Sequence, residues 1–85
     1  MEKYKIEIKR SAEKEIEALP KAAVGVVMRK IHALAHDPRP IDSKKLTGSD
    51  LYRLRAGVYR IVYEVEDTVL MILVVKVAHR KDVYR

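Results

Sequence analysis

Eighty-five residues make one small domain, 1–85, large enough for a single core with little margin. The chain has no Cys, which excludes disulfide frameworks, thiolate metal sites and cysteine nucleophiles together. Eighteen Lys and Arg against twelve Asp and Glu give a net charge of +6, and the excess is uneven: residues 1–42 carry nine basic and seven acidic side chains, residues 43–85 nine and five. A positive field of this kind draws polyanions, or an acidic protein partner, at long range.

The N-terminus, MEKYKIEIKR, alternates charged and apolar residues where a secretion signal needs a continuous apolar run, and the apolar stretch at 69–75 is far too short to span a bilayer. A soluble, cytoplasmic protein without membrane contact is the expectation. Tyr4, Ile6 and Ile8 alternate with Lys5, Glu7 and Lys9, which predicts a first strand with one buried face, at a sheet edge. Ser11 is the candidate N-cap of a short helix, with Glu13 in its first turn and Ala12, Ile16 and Leu19 at helical spacing. Pro20 ends that helix and opens a second, in which Val24, Val27, Met28, Ile31, Leu34 and Ala35 recur at three and four residues. Gly25, inside this helix, costs roughly 1 kcal/mol of propensity relative to Ala, so its expected use is close packing against the first helix or the sheet. His36, Asp37 and Pro38 stop the helix, and PRPIDSKKLTGSD, 38–50, reads as a basic, irregular connection.

From Leu51 the period changes to two. In LYRLRA, Arg53 and Arg55 share one face while Tyr52, Leu54 and Ala56 share the other. After a turn at Ala56-Gly57, Tyr59, Ile61, Tyr63 and Val65 form an apolar stripe, leaving Arg60, Val62 and Glu64 opposite. A second tight turn is expected at Glu66-Asp67. The run Val69 to Val77, apolar apart from Lys76, suits a central strand buried on both faces and delivers His79-Arg80-Lys81 to one end of the molecule. The order β-α-α-β-β-β predicts an α+β domain with a helical hairpin packed on one face of a four-stranded, mainly antiparallel sheet.

His32 and His36 have the spacing of two ligands to one metal, but Ala33 stands where a zinc-protease motif needs Glu and no third ligand is evident, so surface histidines are the plainer account. No Walker sequence, dinucleotide fingerprint or local Ser/His/Asp arrangement is present, and no metal or cofactor is expected. Tyr52, Tyr59 and Tyr63 read as rings buried with hydroxyls near water. The strongest constellation is Arg53, Arg55, Arg60 and Arg80, with Lys44, Lys45 and Lys81 nearby as candidate RNA-binding residues. One account is a solvated, charged sheet face. The other is a phosphodiester site, because guanidinium groups stay charged, grip phosphate oxygens in pairs and stabilise the extra charge of a pentacoordinate transition state. RNA brings its own nucleophile, the 2′-OH, so such a site needs only positioning, charge and proton transfer.

The sequence GSDLYRLRAGVYRIVYEVEDTVLMILVVKVAHRKDVYR, preceded by KKL, resembles the RelE toxins of toxin–antitoxin pairs, within the wider RelE/ParE superfamily, over nearly the whole chain. The most specific matches are Tyr52 to Arg55, Gly57 with Tyr59 to Tyr63, and the ending His79 to Tyr84. The resemblance implies a metal-independent endoribonuclease that enters the ribosomal A site, cuts mRNA by 2′-OH attack and is held inactive by a cognate antitoxin. It places the catalytic positions on Arg53, Arg55, Arg60, Arg80 and Tyr84, with Arg60 and Arg80 on the phosphate and leaving group and Tyr84 stacking on a base. The first two positions are usually Lys in that family. Lysine in a cationic site can lose its proton and act as base, which arginine practically cannot, so His79 or Lys45 becomes the candidate proton acceptor. Two other functions fit the same chain: a ParE-like toxin that binds and poisons DNA gyrase, and a plain RNA-binding module. A gyrase poison has no need of Arg60, Arg80 and Tyr84 together.

Overall fold

Alternation in the strands and three-to-four spacing in the helices send one set of side chains to a common core. The computed structural model describes residues 3–83. The elements are β1 (Lys5–Ile8), α1 (Arg10–Glu17), α2 (Lys21–Ala33), β2 (Ser43–Lys45), β3 (Leu51–Ala56), β4 (Tyr59–Glu66), β5 (Met71–His79) and α3 (Arg80–Val83). They form a five-stranded sheet in the order β1-β5-β4-β3-β2, with β1 parallel to β5 and the other neighbours antiparallel. Ala12, Val27, Ile31, Leu54, Ile61, Tyr63, Ile72 and Val74 are all 1 % exposed or less and belong to one cluster, so both helices cover the sheet face that the alternation selects.

The α+β layout holds, with one more strand than expected. Ser43, Lys44 and Lys45 pair with Leu54, Arg53 and Tyr52, inside the stretch that reads as irregular. Three residues without an apolar alternation carry no strand signal of their own; the free edge of β3 supplies it. Ser11 is not a cap. The helix starts at Arg10, with Lys9 as N-cap and no side-chain cap bond, because the N–H of Lys9 still completes the ladder to the Val74 carbonyl (2.8 Å) while its own carbonyl accepts from Glu13 (2.9 Å). Gly25 packs against nothing: a Cβ built there meets no atom within 4 Å.

β5 is central, as its composition suggests, but only Ile72, Val74 and Val77 are buried, while Met71, Leu73 and Val75 on the other side remain half-exposed. An irregularity opposite Val62 and Tyr63, which pair with Lys76 and Val74, leaves Val75 as an extra residue and shifts the inward parity from Val74 to Val77. Beyond the end of β1, α1 covers the edge of β5, and Glu15 Oε1 accepts the Val77 N–H at 2.9 Å. The β4–β5 connection is longer than a tight turn at Glu66-Asp67, running from Asp67 to Leu70, whose φ of 52° places a non-glycine residue in the left-handed region. Gly57 (φ 64°) makes the β3–β4 turn at the expected place.

The segment between α2 and β2 is tied down at several points. Tyr63, wholly buried, donates its hydroxyl to the Pro38 carbonyl at 2.8 Å, not to water, and burial pushes its pKa up. Arg39 grips both oxygens of Asp67 (2.8 and 3.2 Å), donates to the Tyr52 hydroxyl (2.9 Å) and lies 5.3 Å from the centre of that ring. Tyr4 donates to the same carboxylate at 2.7 Å. One exposed cluster thereby joins the N-terminal strand, the loop after α2, β3 and the β4–β5 turn.

Leu54→Ala should cost about 2–5 kcal/mol in urea unfolding as a core truncation; a loss below roughly 0.5 kcal/mol would mean the strand faces the other way. The hydrogen bond from Arg39, then that from Tyr4, holds the Asp67 carboxyl below its usual range. With its pKa depressed by folding, the group's contribution is complete above the unfolded value of about 3.9 and is lost as pH falls through the folded one. Thermal melts of the unmodified protein and Asp67→Asn should therefore differ at neutral pH and converge under strongly acidic conditions.

Candidate functional site

Residues directly opposite one another in a sheet share a face, so the register reads the site out. Lys44 stands opposite Arg53, and Arg55 opposite Arg60. All four project from the face that the helices leave open. Cross-strand partners sit roughly 5 Å apart at Cβ, and like charges at that spacing destabilise a sheet, so the Arg55–Arg60 pair is a cost to the fold. With Ile41 and Asp42 these four side chains line an open depression of about 260 Å³.

Arg60 is the centre of the field. Its pKa is lowered, first by burial and then by the charges of Arg55, Arg53 and Arg80. It stays put because its guanidinium donates to the carbonyls of Tyr59 (3.1 Å) and Gly57 (3.3 Å). The N–H of Arg80 bonds the Val58 carbonyl at 2.8 Å, which docks the start of α3 on the β3–β4 turn and brings this fourth guanidinium into the same field. Arg53 and Arg60 are half-buried, whereas Arg55, Arg80 and Lys44 are exposed. A concentration of cations around one open concavity can bind a phosphodiester and stabilise added charge on it.

Asp42 interrupts the positive surface. The hydrogen bond from Lys30, 2.8 Å from Oδ2, lowers its pKa most, and Arg55 adds to the effect. Sequence reasoning passes over Asp42 and Ile41 because their segment reads as irregular. Strand parity does not point to them either, because both lie in the turn that precedes β2.

The other expected residues are placed differently. Lys45 pairs with Tyr52 and so lies on the opposite side of β2 from Lys44. His79 pairs with Tyr59, on the helix-facing side, with the two rings edge-on at 5.9 Å, and its Nδ1 accepts the Lys81 N–H at 3.2 Å. Both candidate proton acceptors are thus turned away from the arginines. Lys81 is exposed on α3, and Tyr84 lies outside the described residues. His32 and His36 are exposed, and among the described residues no group of three or more His, Cys, Asp or Glu could hold a metal. Among them too, no helix is long and apolar enough to cross a membrane.

Residues 6–84 match the family described as ParE toxin of type II toxin-antitoxin system, parDE. The chain is 31% identical to "Putative toxin RelE1" of Methanocaldococcus jannaschii, over 98% of this chain and 97% of that one. The fold superposes with a TM-score of 0.84 on the archaeal RelE–RelB complex from Pyrococcus horikoshii, at 31% identity, covering 94% of this chain and 98% of that chain. The isolated RelE toxin of Escherichia coli follows with a TM-score of 0.77 and 30% identity, over 95% and 90% of the respective chains.

Binding of a short single-stranded RNA should weaken linearly on a log–log plot against salt, and Arg55→Ala should make that slope shallower by about 0.7. Lys14→Ala, on α1 across the molecule, should leave the slope unchanged. Equal changes for the two variants would show that net charge alone, and not this face, sets the binding.

Proposed function

We propose that this chain, which belongs to the RelE-type toxins of type II toxin–antitoxin systems, is a ribosome-dependent endoribonuclease that cuts mRNA in the A site by attack of a 2′-OH on the adjacent phosphate. The observation that carries this reading is the opposition of Arg55 and Arg60, with Lys44 and Arg53 beside them, around one open depression. A solvated face does not need like charges paired across strands; an anion site does. In this reading Arg60 contacts the scissile phosphate, Arg53 and Arg55 hold the neighbouring backbone, and Arg80 supports charge on the leaving group. Tyr84 supplies a ring on which an mRNA base stacks. Each guanidinium acts more strongly on the transition state than on the bound RNA, because the phosphate gains charge as the 2′-oxygen closes on it. No thiol, metal or cofactor is required.

A cognate antitoxin completes the picture. Relatives of this fold have been solved as RelE–RelB complexes, and a small acidic or amphipathic partner would cover the basic face and stabilise a small core. The gyrase-poison reading is less favoured: the family matched is described as ParE, but the relatives named above are RelE proteins, and the arginine cluster has no role in it.

The experiment is to express the chain from a tight promoter and map mRNA 5′ ends, with and without translating ribosomes. Cleavage within codons that depends on translation is the expected result. Arg60→Ala should lower the single-turnover rate on programmed ribosomes by roughly a hundredfold or more while ribosome binding changes little. Tyr84→Phe should keep much of the activity and Tyr84→Ala lose it, stacking being worth roughly 1–3 kcal/mol per base. An Arg60→Ala protein that remains fully toxic would return the argument to gyrase.

A further inference from the structure

Transfer of the phosphoryl group from the 5′-oxygen to the 2′-oxygen requires a proton to leave the attacking hydroxyl and another to reach the departing oxygen. Guanidinium groups hold their protons far above neutral pH, so Arg53, Arg55, Arg60 and Arg80 can do neither. His79 and Lys45 face away from the cluster. Among the described residues that line the depression, Asp42 is the one oxyanion and Lys44 the one ammonium.

We propose that Asp42 accepts the 2′-hydroxyl proton and that Lys44 donates a proton to the 5′-oxygen. The inference rests on the nuclease reading above and names the acid and base of that site. In the step, the proton of the 2′-OH passes to Asp42 Oδ1, the 2′-oxygen bonds phosphorus, and the bond from phosphorus to the 5′-oxygen breaks. Its electron pair takes a proton from the Lys44 ammonium. The products are a 2′,3′-cyclic phosphate and a 5′-hydroxyl; water then takes the proton from Asp42 and reprotonates Lys44, so no other reactant is consumed.

The geometry supports this division of labour. Asp42, in the turn that precedes β2, and Lys44, on β2, both line the depression, while Ser43 between them pairs with Leu54 on the helix-facing side. Ser43 holds the Pro40 carbonyl through its hydroxyl (2.7 Å) and its N–H (2.9 Å), which fixes the chain where the two functional side chains emerge. Lys30 reaches from α2 to Asp42 Oδ2 at 2.8 Å, which fixes the carboxylate's orientation at the rim of the depression. Among the described residues the charged groups around Asp42 are cationic: Lys30 from α2 bonds it, Arg55 from β3 acts on it, and Lys44 from β2 and Arg60 from β4 line the same depression. The hydrogen bond from Lys30 first, with the charge of Arg55 adding to it, lowers the pKa of this carboxyl, so it stays ionised into the acid range. It is a weak base, but wholly in its accepting form at neutral pH, and the arginines share the charge that builds as the proton moves.

The test uses the full-length protein on ribosomes programmed with end-labelled mRNA, under single-turnover conditions. Asp42→Asn should lower the cleavage rate by roughly 10²–10⁴-fold with ribosome binding retained, and added formate should partly restore Asp42→Ala. Lys44→Met should be slow on ordinary mRNA but close to the unmodified protein on mRNA whose 5′-oxygen at the cut is replaced by sulfur, because a thiolate departs without a proton. The sulfur substrate should not rescue Asp42→Asn. For the unmodified protein the rate should be nearly level from about pH 6 to about pH 8, where a histidine or lysine base would make it climb with pH. Full-rate cleavage by Asp42→Asn, rescue of that variant by sulfur, or a climbing profile would each overturn the assignment while leaving the nuclease reading standing. Absence of cleavage by the unmodified protein on ribosomes would overturn both.

Discussion

The antiparallel register between β3 and β4 decides both what is inside this protein and what is displayed. Leu54 opposite Ile61 enters the core, and the next pair, Arg55 opposite Arg60, enters the depression. With a side-chain period of two, a slip of one residue would put arginines against the helices and leucines in water. Gly57, in the left-handed region, sets that register at the turn. The core and the cationic face are therefore specified by the same hydrogen-bond ladder and cannot vary independently.

The cationic face is electrostatically expensive, and the structure offsets the cost locally. Arg60 is half-buried and surrounded by like charge, and its guanidinium is held by two backbone carbonyls of its own hairpin. Backbone acceptors hold the group in place without neutralising it. The carboxylate that does enter the field, Asp42, is engaged from behind by Lys30, so that pair is close to neutral and most of the positive potential survives.

The loop from Asp37 to Asp42 connects the two halves of the molecule and carries more than its composition suggests. Tyr63 hydrogen-bonds Pro38 from inside the core, Arg39 joins Asp67 and Tyr52 outside it, and Ser43 closes back on Pro40. These bonds deliver β2 to the open edge of β3, and with it Lys44 to Arg53. A strand of three residues has little stability alone. Its position is a consequence of the anchors on either side, which is why a short, polar segment can hold Lys44 opposite Arg53.

Much of this was legible in the chain itself. The alternation of LYRLRA and YRIVYEV specifies which residues go inward and that Arg53, Arg55 and Arg60 share a surface, because the period of a strand is a local property of its backbone. The edge position of β1, the two helices and their apolar stripes follow from equally local patterns. Only the tertiary structure decided the rest. β2 exists because a neighbouring strand has unpaired groups to offer, the parity of β5 changes at an irregularity that no residue type announces, and His79 therefore lies with Tyr59 and not with Arg60. Lys45 takes the face away from the arginines because it pairs with Tyr52, and Asp42 reaches the depression from the turn before β2; neither a pairing partner nor a turn's direction is contained in sequence spacing.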